Sequence, residues 1–240
     1  MSLFKSRLKP LPQGKWHRRV GVAGRRSAAA APLMILALMT SPTAWAVTVT
    51  SCDRQLTIEQ PPQRAVSHDI TLTAMLLALG LKERMVGYSG VSGWKTPTPE
   101  LQADLDDLPE LAARYPSLEN LLGAGADFVF AGWNYGMRIG GEVTPASLER
   151  FGIPVYELSE SCAHVMPGRV ASLDDLYNDL RNLGRIFAVE DRAEVLVQGM
   201  QARVAAVSNQ LGEQPTRPRV FVYDSGEDVP FSAGRLGMPQ

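Results

Sequence analysis

The sequence has 240 residues, with 24 Lys and Arg, 25 Asp and Glu, and a formal net charge of −1. Residues 1–46 hold eight of the basic residues and no acidic residue, so residues 47–240 carry 16 basic and 25 acidic side chains, a net charge of −9. Because the phosphate backbone of a nucleic acid requires a basic surface, this acidic remainder argues against a nucleic acid partner.

The first 46 residues have the organisation of an export signal. A basic region precedes the apolar run AAAAPLMILALM at 28–39, and Ala44-Trp45-Ala46 fits a small-x-small cleavage site. The run is shorter than the roughly 20 residues that a membrane-spanning helix needs. We therefore predict a cleaved signal peptide at 1–46. A membrane anchor, a twin-arginine export route and a lipid anchor on Cys52 stay open as alternatives.

The chain has two cysteines, Cys52 and Cys162, and neither belongs to a CxxC motif. In a chain that is exported from the cytosol, an even number of cysteines favours a disulfide. We predict one bond between them, which closes a loop of about 110 residues. Two unrelated buried thiols are the alternative.

From Arg64 onward, predicted strands and helices alternate. Ser117 and Thr144 are suited to begin helices, and Gly80 and Gly152 to end them. Strands that alternate with helices predict parallel βαβ units, and hence an α/β fold with a Rossmann-like parallel-sheet lobe at 47–171. The predicted strands are 64–69, 83–90, 127–133 and 153–159, and the predicted helices are 70–81, 117–125 and 144–152.

Two longer helical patterns follow, at 172–187 and 190–211. Ser172 and Asp175 form a capping box at the start of the first. The second helix would be about 33 Å long, which suits a helix that bridges two lobes. A strand at 219–226 then begins a new βα unit that is not completed. We predict a helical segment at 172–214 and, at 215–240, the start of a truncated second α/β lobe.

The carboxyl ends of parallel strands are where such sheets bind ligands. Here these ends are rich in aromatic side chains, which indicates a broad, partly apolar ligand with anionic or metal-chelate character. His68 could instead cap or support the first helix, Trp94 fill a small cluster, His164 occupy a surface loop and Arg138 pair with a carboxylate. The predicted ligand-binding residues are His68, Tyr88, Trp94, Trp133, Tyr135, Arg138 and His164.

Signals for an enzyme or a metal site are weaker. Ser67, His68 and Asp69 are the residue types of a catalytic triad, but neighbours in an extended chain point to opposite sides and cannot converge. We expect no enzyme and no cofactor, although His68 within hydrogen-bond reach of a Ser or Cys would favour an enzyme. For zinc or manganese only His68 and His164 are available, so metal-ion binding is kept as an alternative.

Several segments together resemble a known family: PQRAVSHDITLTAMLLALGL, MVGYSG, SLENLLGAGADFVFAG and LERFGIPVYEL. They are similar to the periplasmic substrate-binding proteins of ABC importers for ferric siderophores, haem and cobalamin. The strongest match is 117–132, which resembles the family's S/N-L-E-x-L-x-x-x-x-P-D-L-V segment, with Ala126 at the usual proline. The resemblance covers about residues 60–240.

The resemblance implies two α/β lobes joined by a rigid helix, here 190–211, with the ligand held between the lobes. It implies a non-enzymatic periplasmic protein that captures an iron-siderophore, haem or cobalamin and delivers it to an ABC permease in the inner membrane. Glu119 matches a first-lobe glutamate that pairs with permease arginines. An ordinary solvated carboxylate at a helix start is the alternative reading of Glu119. Family members continue beyond this length.

Overall fold

The computed structural model describes residues 45–94, 96–132, 141–212, 219, 221–223 and 226–230, with the backbone alone for His164. In it, a β-hairpin precedes a five-stranded parallel sheet. The sheet has the order β5-β4-β3-β6-β7, so the chain builds outward from β3 in both directions. The strands are β1 (Val47–Ser51) and β2 (Arg54–Ile58) in the hairpin, and β3 (Ala65–His68), β4 (Met85–Ser89), β5 (Glu110–Ala112), β6 (Phe128–Ala131) and β7 (Val155–Glu157) in the sheet.

In the described part of the chain, six α-helices connect or follow these strands. The N-caps predicted from the sequence are confirmed: Ser117, Thr144 and Ser172 each accept a hydrogen bond from the backbone N–H three residues later. Asp69, rather than His68, caps the first helix. The helices are α1 (Ile70–Ala78), α2 (Pro99–Leu105), α3 (Leu118–Gly123), α4 (Pro145–Glu149), α5 (Leu173–Ile186) and α6 (Glu190–Leu211), with 3₁₀ helices at Lys82–Arg84 and Ser159–His164.

The two faces of the sheet are covered by different helices. On β6, Phe128 and Phe130 join a core cluster with residues of α1, α5 and α6, whereas Val129 packs with α3 and α4 on the other face. This division follows from the alternation of side chains along a strand. The near-continuous apolar run of β6 is typical of a parallel strand buried on both faces. The predicted α/β fold with a parallel sheet is confirmed.

The disulfide between Cys52 and Cys162 is confirmed, with an S–S distance of 2.06 Å and Cα atoms 5.2 Å apart. It joins the turn of the hairpin to the 3₁₀ helix that follows β7. Nearby, the Arg54 guanidinium forms an ion pair of 2.7 Å with Glu157, and the backbone N–H of Glu157 donates to Ser51 Oγ at 2.9 Å. The hairpin is therefore attached to the edge of the sheet by both covalent and polar contacts.

The sequence did not predict the β1–β2 hairpin, α2, β5 or the two 3₁₀ helices. The hairpin has a period-two signal in VTVTS, with Val49 buried between exposed threonines, but its turn contains no glycine. Strand β5 has only three residues, which is too short for a period to show. The strand predicted at 219–226 was wrong for the part of it that the structure describes, because residues 221–223 pair with no described strand.

Helix α6 is 22 residues long, as predicted. Its first half packs on α5, where Gly184 allows close approach: a Cβ at this glycine would lie 2.6 Å from Ala193 Cβ. Residues 201–211 are exposed. Among the described residues, no helix combines the length and the apolar character needed to cross a bilayer.

Candidate functional site

The order of strands reverses between β3 and β6. β3 leads through α1 to β4 on one side, whereas β6 leads to β7 on the other. In open parallel sheets, the crevice beyond the carboxyl ends at such a reversal is where ligands bind. Here the crevice lies beyond His68 and Gly132. A Cβ at Gly132 would lie 2.7 Å from Ser161 Oγ, so the chain leaves β6 in close contact with the 3₁₀ helix after β7.

His68 is the last residue of β3, and its imidazole is buried beside the crevice, with 1% of the residue exposed. His68 and Ser89 are neighbours in the β3–β4 register, and Nδ1 lies 2.8 Å from Ser89 Oγ. Burial lowers the imidazole pKa from 6.5 to about 3, because desolvation penalises the charged form. The side chain is therefore neutral at physiological pH.

The contact between His68 and Ser89 is the geometry that would favour an enzyme. However, Ser89 is fully buried, and a nucleophile must reach its substrate. An imidazole with a pKa of about 3 is also a weak general base at neutral pH. Ser67 does not join this pair, because its hydroxyl lies 2.7 Å from Thr73 Oγ1. The contact is best described as a buried hydrogen bond between two strand ends.

An exposed aromatic cluster lies beyond the carboxyl ends of β4 and β5, and we call Trp94, Tyr115 and Arg114 the aromatic platform. The two rings are about half exposed, at 50% and 53%, and meet edge to face with centroids 6.0 Å apart. The Arg114 guanidinium carbon lies 4.4 Å from the centroid of the Trp94 ring, a cation–π contact. Tyr115 also stacks on His68 at 5.9 Å, which connects the platform to the crevice.

Hydrogen bonds from the backbone of the Trp94 loop hold the platform in place. Glu110 of β5 accepts hydrogen bonds from the backbone N–H groups of Val91 and Ser92, at 2.9 and 2.8 Å. The backbone N–H of Gly93 donates to the carbonyl oxygen of Ala113 at 2.9 Å. A Cβ at Gly93 would lie 2.4 Å from that oxygen. A larger residue at 93 would push the two segments apart. The loop that carries Trp94 is thus bonded to the segment that carries Tyr115.

Of the platform residues, only Trp94 was predicted from the sequence. Arg114 and Tyr115 were missed because they follow β5, a strand that gave no recognisable pattern. The Arg-Tyr pair shortly before the N-cap Ser117 of α3 was the available signal.

The other predicted site residues stay predictions. Tyr88 lies in a small core cluster with Val91 and Leu105, between β4 and α2, and burial raises its pKa. Glu119 is exposed in the first turn of α3. Trp133, Tyr135 and Arg138 lie outside the described residues. His164 ends the 3₁₀ helix after β7, and its side chain is likewise outside the description.

A buried carboxylate anchors the segment after β7. Asp179 of α5 is 1% exposed and accepts hydrogen bonds from Tyr156 Oη at 2.7 Å and from the backbone N–H and Oγ of Ser159 at 2.9 and 2.7 Å. Desolvation raises its pKa to about 6, although these donors act in the opposite direction. Asp179 thereby fixes the start of the 3₁₀ helix that contacts Gly132.

Replacing Asp179 with alanine is expected to lower the free energy of unfolding by about 3 kcal/mol, because the Tyr156 and Ser159 donors lose a buried acceptor. Urea unfolding at pH 7 measures the loss. Asp104→Ala is the control, since Asp104 is exposed on α2 and the same truncation should change stability little. Equal losses in the two variants would contradict this role of Asp179.

A groove of about 810 Å³ lies away from the crevice. It runs between β2 and the segments that precede β6 and β7, and Arg54, Asp127 and Pro154 line it. Because these segments stand at the amino ends of β6 and β7, the groove is at the opposite edge of the sheet from the aromatic platform. Its size alone does not make it the functional site.

A parallel sheet with a crevice at its carboxyl edge, beside exposed aromatic and guanidinium groups, is typical of ligand-binding proteins of the α/β class. The chain belongs to the periplasmic binding protein family, whose model matches residues 66–238. Membership implies a periplasmic location. No curated protein matches the sequence.

Solved structures agree with this assignment. A periplasmic binding protein from Veillonella parvula is 27% identical, with a TM-score of 0.65 over 78% of this chain and 61% of that one. An ABC-type Fe3+-hydroxamate transport system from Saccharomonospora viridis is 29% identical, with a TM-score of 0.54 over 67% of this chain and 55% of that one. The periplasmic catecholate-siderophore binding protein from Vibrio cholerae, 20% identical with a TM-score of 0.50 over 69% and 54%, shares the fold. The chain therefore spans about three fifths or less of these proteins.

Proposed function

We propose that this protein captures a ferric siderophore, haem or cobalamin in the periplasm and delivers it to an ABC permease in the inner membrane. The observation that carries the proposal is the aromatic platform, which presents Trp94, Tyr115 and Arg114 to solvent beside the crevice. The 29% identity to the Fe3+-hydroxamate transport system supports the iron-chelate class.

The platform suits such a ligand chemically. The two half-exposed rings offer flat apolar contact at low cost in side-chain entropy, and Arg114 offers N–H donors to anionic oxygens of a chelate or to a haem carboxylate. Trp133, Tyr135, Arg138 and His164 complete the ligand surface in this proposal. We place Tyr88 beneath that surface, because it packs in the core cluster against α2.

Ligand binding is tested by titrating the tryptophan fluorescence with a ferric hydroxamate, a ferric catecholate, haem and cobalamin in turn. We expect saturable quenching by one of the four. Trp94→Ala and Arg114→Gln should each weaken that affinity about tenfold, which corresponds to the loss of about 1.4 kcal/mol. Phe151→Ala is the matched control, because Phe151 is 52% exposed but precedes the amino end of β7. If none of the four ligands quenches the fluorescence, the proposed ligand class is wrong.

In the proposed assembly, Glu119 docks the permease. Its carboxylate is exposed at the start of α3 and forms no ion pair with another described residue. We expect Glu119→Ala to reduce ligand-stimulated ATP hydrolysis by the permease complex while ligand affinity stays unchanged. Glu149→Ala, an exposed glutamate on α4, serves for comparison. If both variants stimulate the permease like the wild type, Glu119 does not dock it.

We also propose the domain arrangement that the sequence predicts: a signal peptide at 1–46, a first lobe at 47–171, a helical segment at 172–214 and a second lobe from 215. The exposure of residues 201–211 supports a helix that leaves one lobe for another. Amino-terminal sequencing of the exported protein should begin at Val47.

Two other functions have specific tests. An enzyme that used the His68–Ser89 pair would need a reactive Ser89, and labelling of Ser89 by a fluorophosphonate would reveal it. We expect no labelling, because Ser89 is buried. Zinc or manganese binding would require His68 and His164 together. Among the described residues, no group of three or more His, Cys, Asp or Glu is placed to hold a metal ion. If the wild type binds zinc and a His68→Ala variant does not, that result would support the metal-binding function.

A further inference from the structure

A separate cavity of about 420 Å³ lies between α5, the hairpin and the segment that follows β7. Asn178, Arg181, Asn182 and Arg185 of α5 line it, and their spacing of three and four residues places them on one face of the helix. All four side chains carry N–H donors. Arg169 lines the cavity from another segment, and we call the space the arginine cavity. None of the platform residues lines it.

The guanidinium groups of the arginine cavity are held in place by single neighbours. Arg181 pairs with Glu194 at 2.9 Å, Arg185 donates from Nη2 to the Thr48 carbonyl oxygen at 2.9 Å, and Arg169 pairs with Asp175. Because these contacts already hold each arginine side chain in place, the side chains lose less conformational entropy when a ligand binds.

Donors remain after these contacts are counted. Within the described part of the chain, Nη1 of Arg169, Arg181 and Arg185 has no acceptor, and the buried Nε of Arg169 also has none. A buried donor without an acceptor carries a free-energy cost. Arg169 and Arg181 are each paired with a carboxylate, whereas Arg185 contacts only a carbonyl oxygen, so one guanidinium charge of the cavity has no paired carboxylate among the described residues. These features call for an anionic ligand with several acceptor oxygens.

We propose that the arginine cavity binds a phosphate group. The planar guanidinium fork matches phosphate oxygens in a bidentate manner, and the amide of Asn178 lies on the same helix face as a further donor. Asn182 Nδ2 already donates one N–H to Tyr156 Oη at 3.0 Å. The group is supplied either by free inorganic phosphate or by a glycerophosphate headgroup. A bound phosphate would connect α5 to the segment carrying Arg169, next to the Cys52–Cys162 disulfide.

Isothermal titration calorimetry of the full chain in a phosphate-free buffer tests this proposal, with inorganic phosphate and glycerol 3-phosphate as titrants. We expect saturable binding of at least one, and the tighter of the two identifies the source. Sodium chloride at matched ionic strength should give no saturable heat. Arg185→Gln should weaken binding about tenfold or more, because a charge-assisted hydrogen bond is lost.

Two further variants make the result decisive. Arg203→Gln removes the same charge from an exposed position on α6 and should leave the affinity unchanged. Asn178→Ala removes a donor without changing the charge; since Asn178 is exposed, the variant should fold, and it should also weaken binding. The proposal is overturned if neither titrant binds, if Arg203→Gln weakens binding as much as Arg185→Gln, or if both cavity variants bind like the wild type.

Discussion

Replacing Cys52 and Cys162 together with alanine is expected to lower the free energy of unfolding by about 4 to 5 kcal/mol. The two residues are 110 positions apart, and opening a loop of that length restores much conformational entropy to the unfolded chain. The hairpin also loses its covalent attachment to the segment after β7, although Val49, Leu56 and Ile58 still bury their side chains in the main core. Urea unfolding at pH 7 measures the difference.

A reducing agent provides the control for this prediction. It should destabilise the wild type to the level of the double-alanine variant and leave that variant unchanged, since no free cysteine is found in the described chain. If reduction shifts the unfolding midpoint of both proteins equally, the effect does not come from this disulfide. Equal stability of wild type and variant would show that the hairpin is held by its polar and apolar contacts alone.

Acidification should destabilise the fold through His68. Burial lowers its pKa from 6.5 to about 3, so the folded protein holds the neutral imidazole while the unfolded chain becomes protonated. The stability that His68 contributes is complete above pH 6.5 and is lost as the pH falls towards 3. Each unit of difference is worth about 1.4 kcal/mol, so we expect a loss of about 3 kcal/mol between pH 7 and pH 4.

Asp179 acts in the opposite sense over part of this range. Its pKa is raised to about 6, so the folded protein holds the Asp179 proton more tightly than the unfolded chain does. The stabilisation that results is complete below about pH 3.9 and is lost as the pH rises through 6. The wild-type profile therefore combines both groups. The useful measurement is the difference in free energy of unfolding between wild type and His68→Gln, in which the contribution of Asp179 cancels.

The free energy of unfolding of the wild type, relative to that of His68→Gln, should fall by about 3 kcal/mol from pH 7 to pH 4. Ser89→Ala is the informative control, because it removes the hydrogen bond to Nδ1 but keeps the buried imidazole. Since desolvation causes the pKa shift, the Ser89 variant should retain the pH dependence of the wild type. A His68→Gln variant with the same pH profile as the wild type would contradict the assignment.

Local signals in the sequence predicted much of this fold. The three capped helix starts at Ser117, Thr144 and Ser172 were predicted correctly because a cap involves only residues three positions apart. The length of α6 followed from its sustained helical pattern. The disulfide followed from two cysteines in a chain that the sequence predicts to be exported. The hairpin and β5 were missed because short strands depend on partners elsewhere in the chain.

The sequence by itself determined the periodicity of the helices, the caps, the parallel α/β class and the family, since each depends on neighbouring residues or on a continuous motif. Only the tertiary structure decided the strand order and what that order brings together. Trp94 and Tyr115 follow different strands, and His68 ends a third. The Tyr115 ring nevertheless lies about 6 Å from both the Trp94 ring and the His68 ring. Arginines from two segments likewise meet beside the disulfide. The aromatic contacts arise because parallel strands align their carboxyl ends at one edge, whatever their separation along the chain. The arginines meet because α5 packs against the segment that follows β7.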